Sequence, residues 1–324
     1  MEGHTTRRSF LQNAAAAAGY LATRGSGESA AAAQLPISAT DRTTGVATAP
    51  VIVITGPVSR DLNPRAGSWP YITEILQRAG IFFCQTPRSR LASLQRHSNP
   101  IVLLAGDLPL TTADHEVLSG VVERGGTIIG LGGTSGWDKG FGVSGKRPLS
   151  EGWIKVTAQD HAVTSGLRSS LHVFGGYAVR ASSATSLAEL ESGSQGAGGS
   201  AILEKRCGRG RAILLAPDLV FSIVHIQQGL PVLQDGPPAP DGSASLDDGE
   251  LKAEDGLVLD WQRDRTPMQP DGEPAFLEPI SDELREIILR CVLYAADRQG
   301  IRLPMLWYWP RGLKAVGHIS HDTD

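Results

Sequence analysis

The chain has 324 residues, 41% of them hydrophobic and 20% charged, with 38 glycines, 20 prolines and a formal charge of −4. That composition is globular, the length allows about two domain equivalents, and the negative balance excludes the clustered positive charge of broad nucleic-acid binding. No basic amphipathic stretch of the membrane-surface kind is present.

Thr6-Arg7-Arg8-Ser9-Phe10-Leu11-Gln12 is a twin-arginine export pattern. The Ala-rich stretch after it, Asn13 to Ala22, is too short and too weakly apolar to span a bilayer. Ala30 to Ala33 then offer a cleavage site before Gln34. Residues 1–33 are therefore expected to be a signal peptide, 34–49 a flexible linker, and the mature chain periplasmic or extracellular with no membrane span. The three cysteines, Cys84, Cys207 and Cys291, are odd in number and widely spaced, which is neither a disulfide framework nor a zinc knuckle.

Order is predicted from Pro50. Val51-Ile52-Val53-Ile54 is a continuous β-branched run closed by Gly56-Pro57, the signature of a strand buried on both faces. Trp69 to Ala79 carries apolar residues at helical spacing and stops at Gly80. Ile81 to Cys84 and Pro100 to Ala105 read as the next strands. Thr111 or Thr112 caps a helix with acids in its first turn, and Gly125-Gly126 ends it. Thr127 to Leu131 follows as a strand and runs into the turn Gly132-Gly133-Thr134-Ser135-Gly136. The alternation of strand and helix predicts an α/β fold: a parallel sheet with helices on both faces.

Further strands are predicted at Trp153–Val156, Leu171–Phe174, Ser200–Glu204 and Ala212–Pro217. Residues 229–279 are rich in Pro, Gly and Asp and read as a long loop insert, a lid over a site or a wrap over a neighbouring domain. Their acidic positions, Asp241 to Asp255, lack the order of a calcium loop. Ser281 is the predicted N-cap of a helix whose stripe is Leu284, Ile287, Ile288, Cys291, Val292 and Ala295. Ile301 to Pro310 is predicted to be extended.

Residues 50–220 resemble class I glutamine amidotransferase-like domains and their ThuA-like relatives. The resemblance rests on element order and on two phrases, Val121-Val122-Glu123-Arg124-Gly125-Gly126-Thr127-Ile128-Ile129 and Cys207 to Pro217. It implies a flavodoxin-like domain, taken as residues 50–300 with the 229–279 insert. True members of that family carry a nucleophilic cysteine at the turn after the central strand. Here that turn holds Ser135 instead, so a thiolate paired with histidine is missing. His161, in an Asp160-His161 phrase that relatives place after a strand, is a candidate pocket residue, and so are Ser135 and His225. The Gly-rich turn also falls short of a dinucleotide fingerprint.

Residues 306–324 resemble the first strand of a polysaccharide deacetylase (NodB-homology) barrel: an apolar run, Ala315 to Ile319, that turns into Ser320-His321-Asp322-Thr323-Asp324. That resemblance implies Asp322 as catalytic base on a metal-bound water and Asp324 as a metal ligand, with His321 a further pocket candidate. The parent would then hold a divalent metal, zinc by preference. This chain alone is expected to hold none, since a catalytic zinc takes three protein ligands and a water. Residues 301–324 are thus expected to be a linker and the stub of a truncated barrel. The expected function is an exported, non-catalytic accessory domain of a carbohydrate deacetylase, with carbohydrate and its own missing catalytic domain as partners. Self-association stays open. A stand-alone extracytoplasmic binding or structural module is the alternative.

Overall fold

The computed structural model describes residues 49–56, 69–191, 198–230, 256–267, 272 and 274–306. The signal region, the acidic positions 241–255 and the stub with Trp307, Tyr308 and Trp309 lie outside the described residues.

The core of the fold is a wall of five parallel strands. β1 (Val51–Thr55) pairs with β2 (Phe83–Pro87) on one side and β3 (Ile101–Ala105) on the other. β3 pairs with β4 (Thr127–Leu131), and β4 with β11 (Gly210–Leu215). In chain order these five run 2-1-3-4-5 across the sheet, the flavodoxin-like doubly wound order. Side chains alternate between faces along a strand, so one run feeds two cores. Val51, Val53, Ile101, Leu103, Ile213 and Leu215 join one cluster; Ile52, Ile54, Val102, Leu104, Ala212 and Leu214 join the other. This is why these strands read as unbroken apolar runs rather than alternating ones.

Helices cover both clusters. α1 (Trp69–Arg78) buries Ile72, Ile75 and Leu76 on the first. α2 (Thr112–Arg124) buries Val117, Leu118, Val121 and Val122 on the second, beside the 3₁₀ segment Arg88–Arg96. Thr111 is the N-cap of α2: its hydroxyl accepts from Asp114 N–H at 3.2 Å, while the Asp114 carboxylate accepts from Thr111 N–H at 2.8 Å. Gly125 ends α2 at φ 115°, a conformation that favours glycine.

Between β4 and β11 the chain departs from a simple parallel sheet. A one-turn helix α3 (Asp138–Phe141) leads into β5 (Val143–Pro148), β6 (Glu151–Val156), β7 (Leu171–Phe174), β8 (Tyr177–Ala181), β9 (Thr185–Glu191) and β10 (Gly199–Cys207). The order β11-β10-β9-β6-β7 continues the sheet with antiparallel strands, and β8 joins β10 to β5 as a side arm. β7 ends that path, and Ser222 of α4 (Leu219–Gln228) covers it there. Its hydroxyl accepts from Phe174 N–H at 2.8 Å and bonds Phe174 C=O at 3.1 Å, satisfying groups an edge strand would leave open.

α5 (Ile280–Gln299) packs on the α1 side, and its stripe is buried as expected, from Leu284 to Ala295. Its start differs from the reading of the sequence. Pro279 occupies the N-cap with no side-chain cap bond, and Ser281 lies inside the first turn. Proline at φ −79° is already set for the helix, so the chain begins it two residues earlier than the serine signal indicates. The strand placed at Ile81 runs instead from Phe83 to Pro87. Ile81 forms a bridge to Met305, and the stretch after α5 runs antiparallel beside it: Phe82 N–H to Pro304 O at 3.1 Å, Leu306 N–H to Gly80 O at 2.7 Å. Among the described residues no helix is long and apolar enough to cross a membrane.

Candidate functional site

In open α/β sheets ligands collect outside the carboxyl ends of the parallel strands. Here that edge carries the turns after β3, β4 and β11. Ser135 lies in the second turn. Its φ is 51°, uncommon for a residue with a side chain, and it is 3% exposed. Its hydroxyl donates to Gly106 O at 3.2 Å and accepts from Leu108 N–H at 3.1 Å. Its own N–H donates to the Asp107 carboxylate at 2.9 Å, and His115 Nε2–H donates to its carbonyl at 3.0 Å. Every contact joins the β4 turn to the β3 turn or to α2. A nucleophilic serine needs a base on its hydroxyl, and the partners of this hydroxyl are backbone groups.

Neighbouring residues tighten the clasp. A Cβ on Gly133 would come 2.3 Å from Asp107 Oδ1, so only glycine lets the two turns meet. Thr134 is fully buried, donates to Asp138 and accepts from Lys146 Nζ at 2.9 Å. Asp218, just past β11, is 5% exposed and caps α4 by accepting from Phe221 N–H at 3.0 Å. Burial pushes its carboxyl up to about 7.

His161 sits elsewhere, against the amino end of β11. Its Nδ1 accepts from Val163 N–H at 3.3 Å, which leaves Nε2 carrying the hydrogen toward Glu204 at 3.2 Å. Glu204 also accepts from Arg211 at 2.7 Å and from the Tyr294 hydroxyl at 2.9 Å. Burial, then the Glu204 carboxylate, raises the Tyr294 hydroxyl above its ordinary value. The four groups tie β10, β11, α5 and the 157–167 loop together, and the positive charge has its carboxylate.

His225, on α4, stacks on Phe221 with centroids 5.1 Å apart and meets the edge of Phe174 at 5.0 Å. Burial, then the positive charge of His172, holds its imidazole below the usual value. His172 escaped the reading of the sequence. It is fully buried on β7, with Nδ1 2.6 Å from Asp264 and Nε2 2.9 Å from Glu151, and its ring stacks on Trp153 at 4.2 Å. The signal available was a histidine amid the apolar residues of Leu171-His172-Val173-Phe174; its partner Asp264 lies far off in the loop insert. Ser135, His161 and His225 thus fall into three separate constellations, each with its own partners. Asp322, Asp324 and His321 are outside the described residues.

Among the described residues no group of three or more His, Cys, Asp or Glu side chains is arranged to hold a metal ion. No protein family matched the chain, and no curated protein did. Solved structures it is similar to include a β-galactosidase from Rahnella sp. R3 (18% identity, 52% of this chain and 28% of that one, TM-score 0.39). A second is a ThuA-like protein from Bacteroides uniformis (13% identity, 55% and 88%, TM-score 0.40). A third is a cytoplasmic protein from Salmonella typhimurium (12% identity, 52% and 87%, TM-score 0.39). The chain thus spans under a third of the galactosidase's length. The strand order, rather than these likenesses, carries the fold assignment.

Proposed function

We propose that the α/β domain is a non-catalytic, amidotransferase-like accessory module, exported with and serving a metal-dependent carbohydrate deacetylase. The observation that supports it is the state of Ser135. At the turn where the amidotransferase relatives need a nucleophile, this hydroxyl is buried and bonded to Gly106 and Leu108. The deacetylase half of the reading rests on the resemblance of residues 306–324 alone, with Asp322 as base and Asp324 as metal ligand.

The test is an assay of the purified chain 34–324 against glutamine, an activated acetyl ester and acetylated chito-oligosaccharides, with and without zinc. No turnover is expected from the α/β domain. Turnover that disappears in Ser135→Ala would overturn the non-catalytic reading. Reading the gene beyond the codon for Asp324 tests the other half, where an open frame with a His-x-x-x-His pair is expected.

A further inference from the structure

We propose that residues 256–265 form a detachable strap, held over the ring of Trp153 by the buried contact of Asp264 with His172 and able to release while the sheet stays paired. The strap is anchored almost wholly by side chains. Among the described residues, no backbone–backbone hydrogen bond joins 257–265 to a strand; the bonds there are Asp264 N–H to Asp260 O and, at the neck, Leu230 N–H to Gly256 O. Its apolar contacts are Leu259 on the core and Trp261, whose ring meets the edge of Phe276 with centroids 5.5 Å apart. The other anchors are polar side chains. Asp264 accepts from Trp153 Nε1–H at 2.7 Å, from Asp260 N–H at 2.7 Å and from His172 Nδ1–H at 2.6 Å, which is the environment of an ionised carboxylate. The other nitrogen of His172 lies 2.9 Å from the Glu151 carboxylate, so each ring nitrogen faces a carboxylate. Arg263 lies over the outer face of Trp153, 3.8 Å from the ring centre, and pairs with Glu191 at 2.8 Å.

Release would cost the sheet no ladder bond. Trp153 and His172 remain cross-strand partners between β6 and β7 without the strap, and Ser222 still covers Phe174 at the end of β7. What release exposes is Trp153 and His172, the start of a row of rings that continues through Phe174 into His225 and Phe221. The bonds of Asp264 to Trp153 and His172 break together, because a buried carboxylate left without partners is costly. The strap is therefore a two-position element rather than a gradually fraying loop.

Amide hydrogen exchange on the full chain tests this, with acrylamide quenching of Trp153 as a second readout. In the wild type, the Gln262, Arg263 and Asp264 amides are expected to exchange about a hundredfold faster than those of Leu103 and Ile129 after correction for intrinsic rates. Asp264→Asn should accelerate the strap amides by a further factor of about ten. It should leave Leu103 and Ile129 unchanged and open Trp153 to quencher. Equal protection of strap and sheet in the wild type, or acceleration of both together in the variant, overturns the proposal. Should Asp264→Asn fail to fold, Arg263→Ala decides: faster exchange confined to the strap supports release, and no change refutes it.

Discussion

At the scale of single residues, the groups that look most chemical are committed to holding turns. Ser135→Ala removes a bond to Gly106 and one from Leu108, leaving a buried N–H and a buried C=O short of a partner. A loss of about 1–3 kcal/mol is expected from urea unfolding. Gly133→Ala drives a Cβ into Asp107 and should cost about as much, 1–3 kcal/mol, with the carboxylate displaced. Asp218 makes a pH-dependent case. Its folded value of about 7 lies above its ordinary 3.8, so between those values the unfolded chain has released a proton the folded chain keeps. The contribution of this one group is full below pH 4 and is lost as pH rises through 7, by on the order of 4 kcal/mol. Asp218→Asn keeps the acceptor for Phe221 N–H and loses the charge, so its Tm should decline less than the wild type's between pH 5 and 8. An identical decline in calorimetry would remove Asp218 as the cause. Ser135 was legible as turn chemistry because its glycine neighbours sit beside it in the chain. His172 was not, because its carboxylates come from Glu151 and from Asp264, and long-range pairing leaves no local spacing to read.

Elements divide in the same way. The five parallel strands were readable because burial on both faces forces unbroken apolar sequence, as in Val51–Thr55. The α2 cap was readable because Thr111 and Asp114 satisfy each other within one turn. Thr111→Ala should therefore lower stability by about 1 kcal/mol, measurable in chemical denaturation. The side arm escaped for the opposite reason. β5 is exposed from Ser144 to Pro148, and its polar, Gly- and Pro-containing sequence resembles a loop. Only its pairing with β8 makes it a strand. The start of α5 shows a quieter conflict, in which a proline set for the helix outcompeted a serine cap.

For the whole molecule, the sheet is a shared wall. Because each strand supplies both clusters, neither core can melt and leave the other intact. Trp137 belongs to one cluster, while Trp153 reports on the antiparallel end. Single-tryptophan versions retaining one or the other are expected to give coincident equilibrium unfolding curves. Midpoints that separate would show that the antiparallel extension unfolds on its own.

That extension lies in the chain between two strands that touch. Thr127 of β4 pairs with Arg211 of β11, although β5 to β10 come between them in sequence. The first four parallel strands are joined by short crossovers and can assemble quickly, whereas the fifth must wait for a long loop to close. Until it does, β4 keeps an apolar edge, Thr127-Ile128-Ile129-Gly130-Leu131, open to any other chain. The kinetic bottleneck and the period of greatest aggregation risk therefore coincide at one seam, and dilution during refolding should raise yield by slowing encounters between chains while that seam is open.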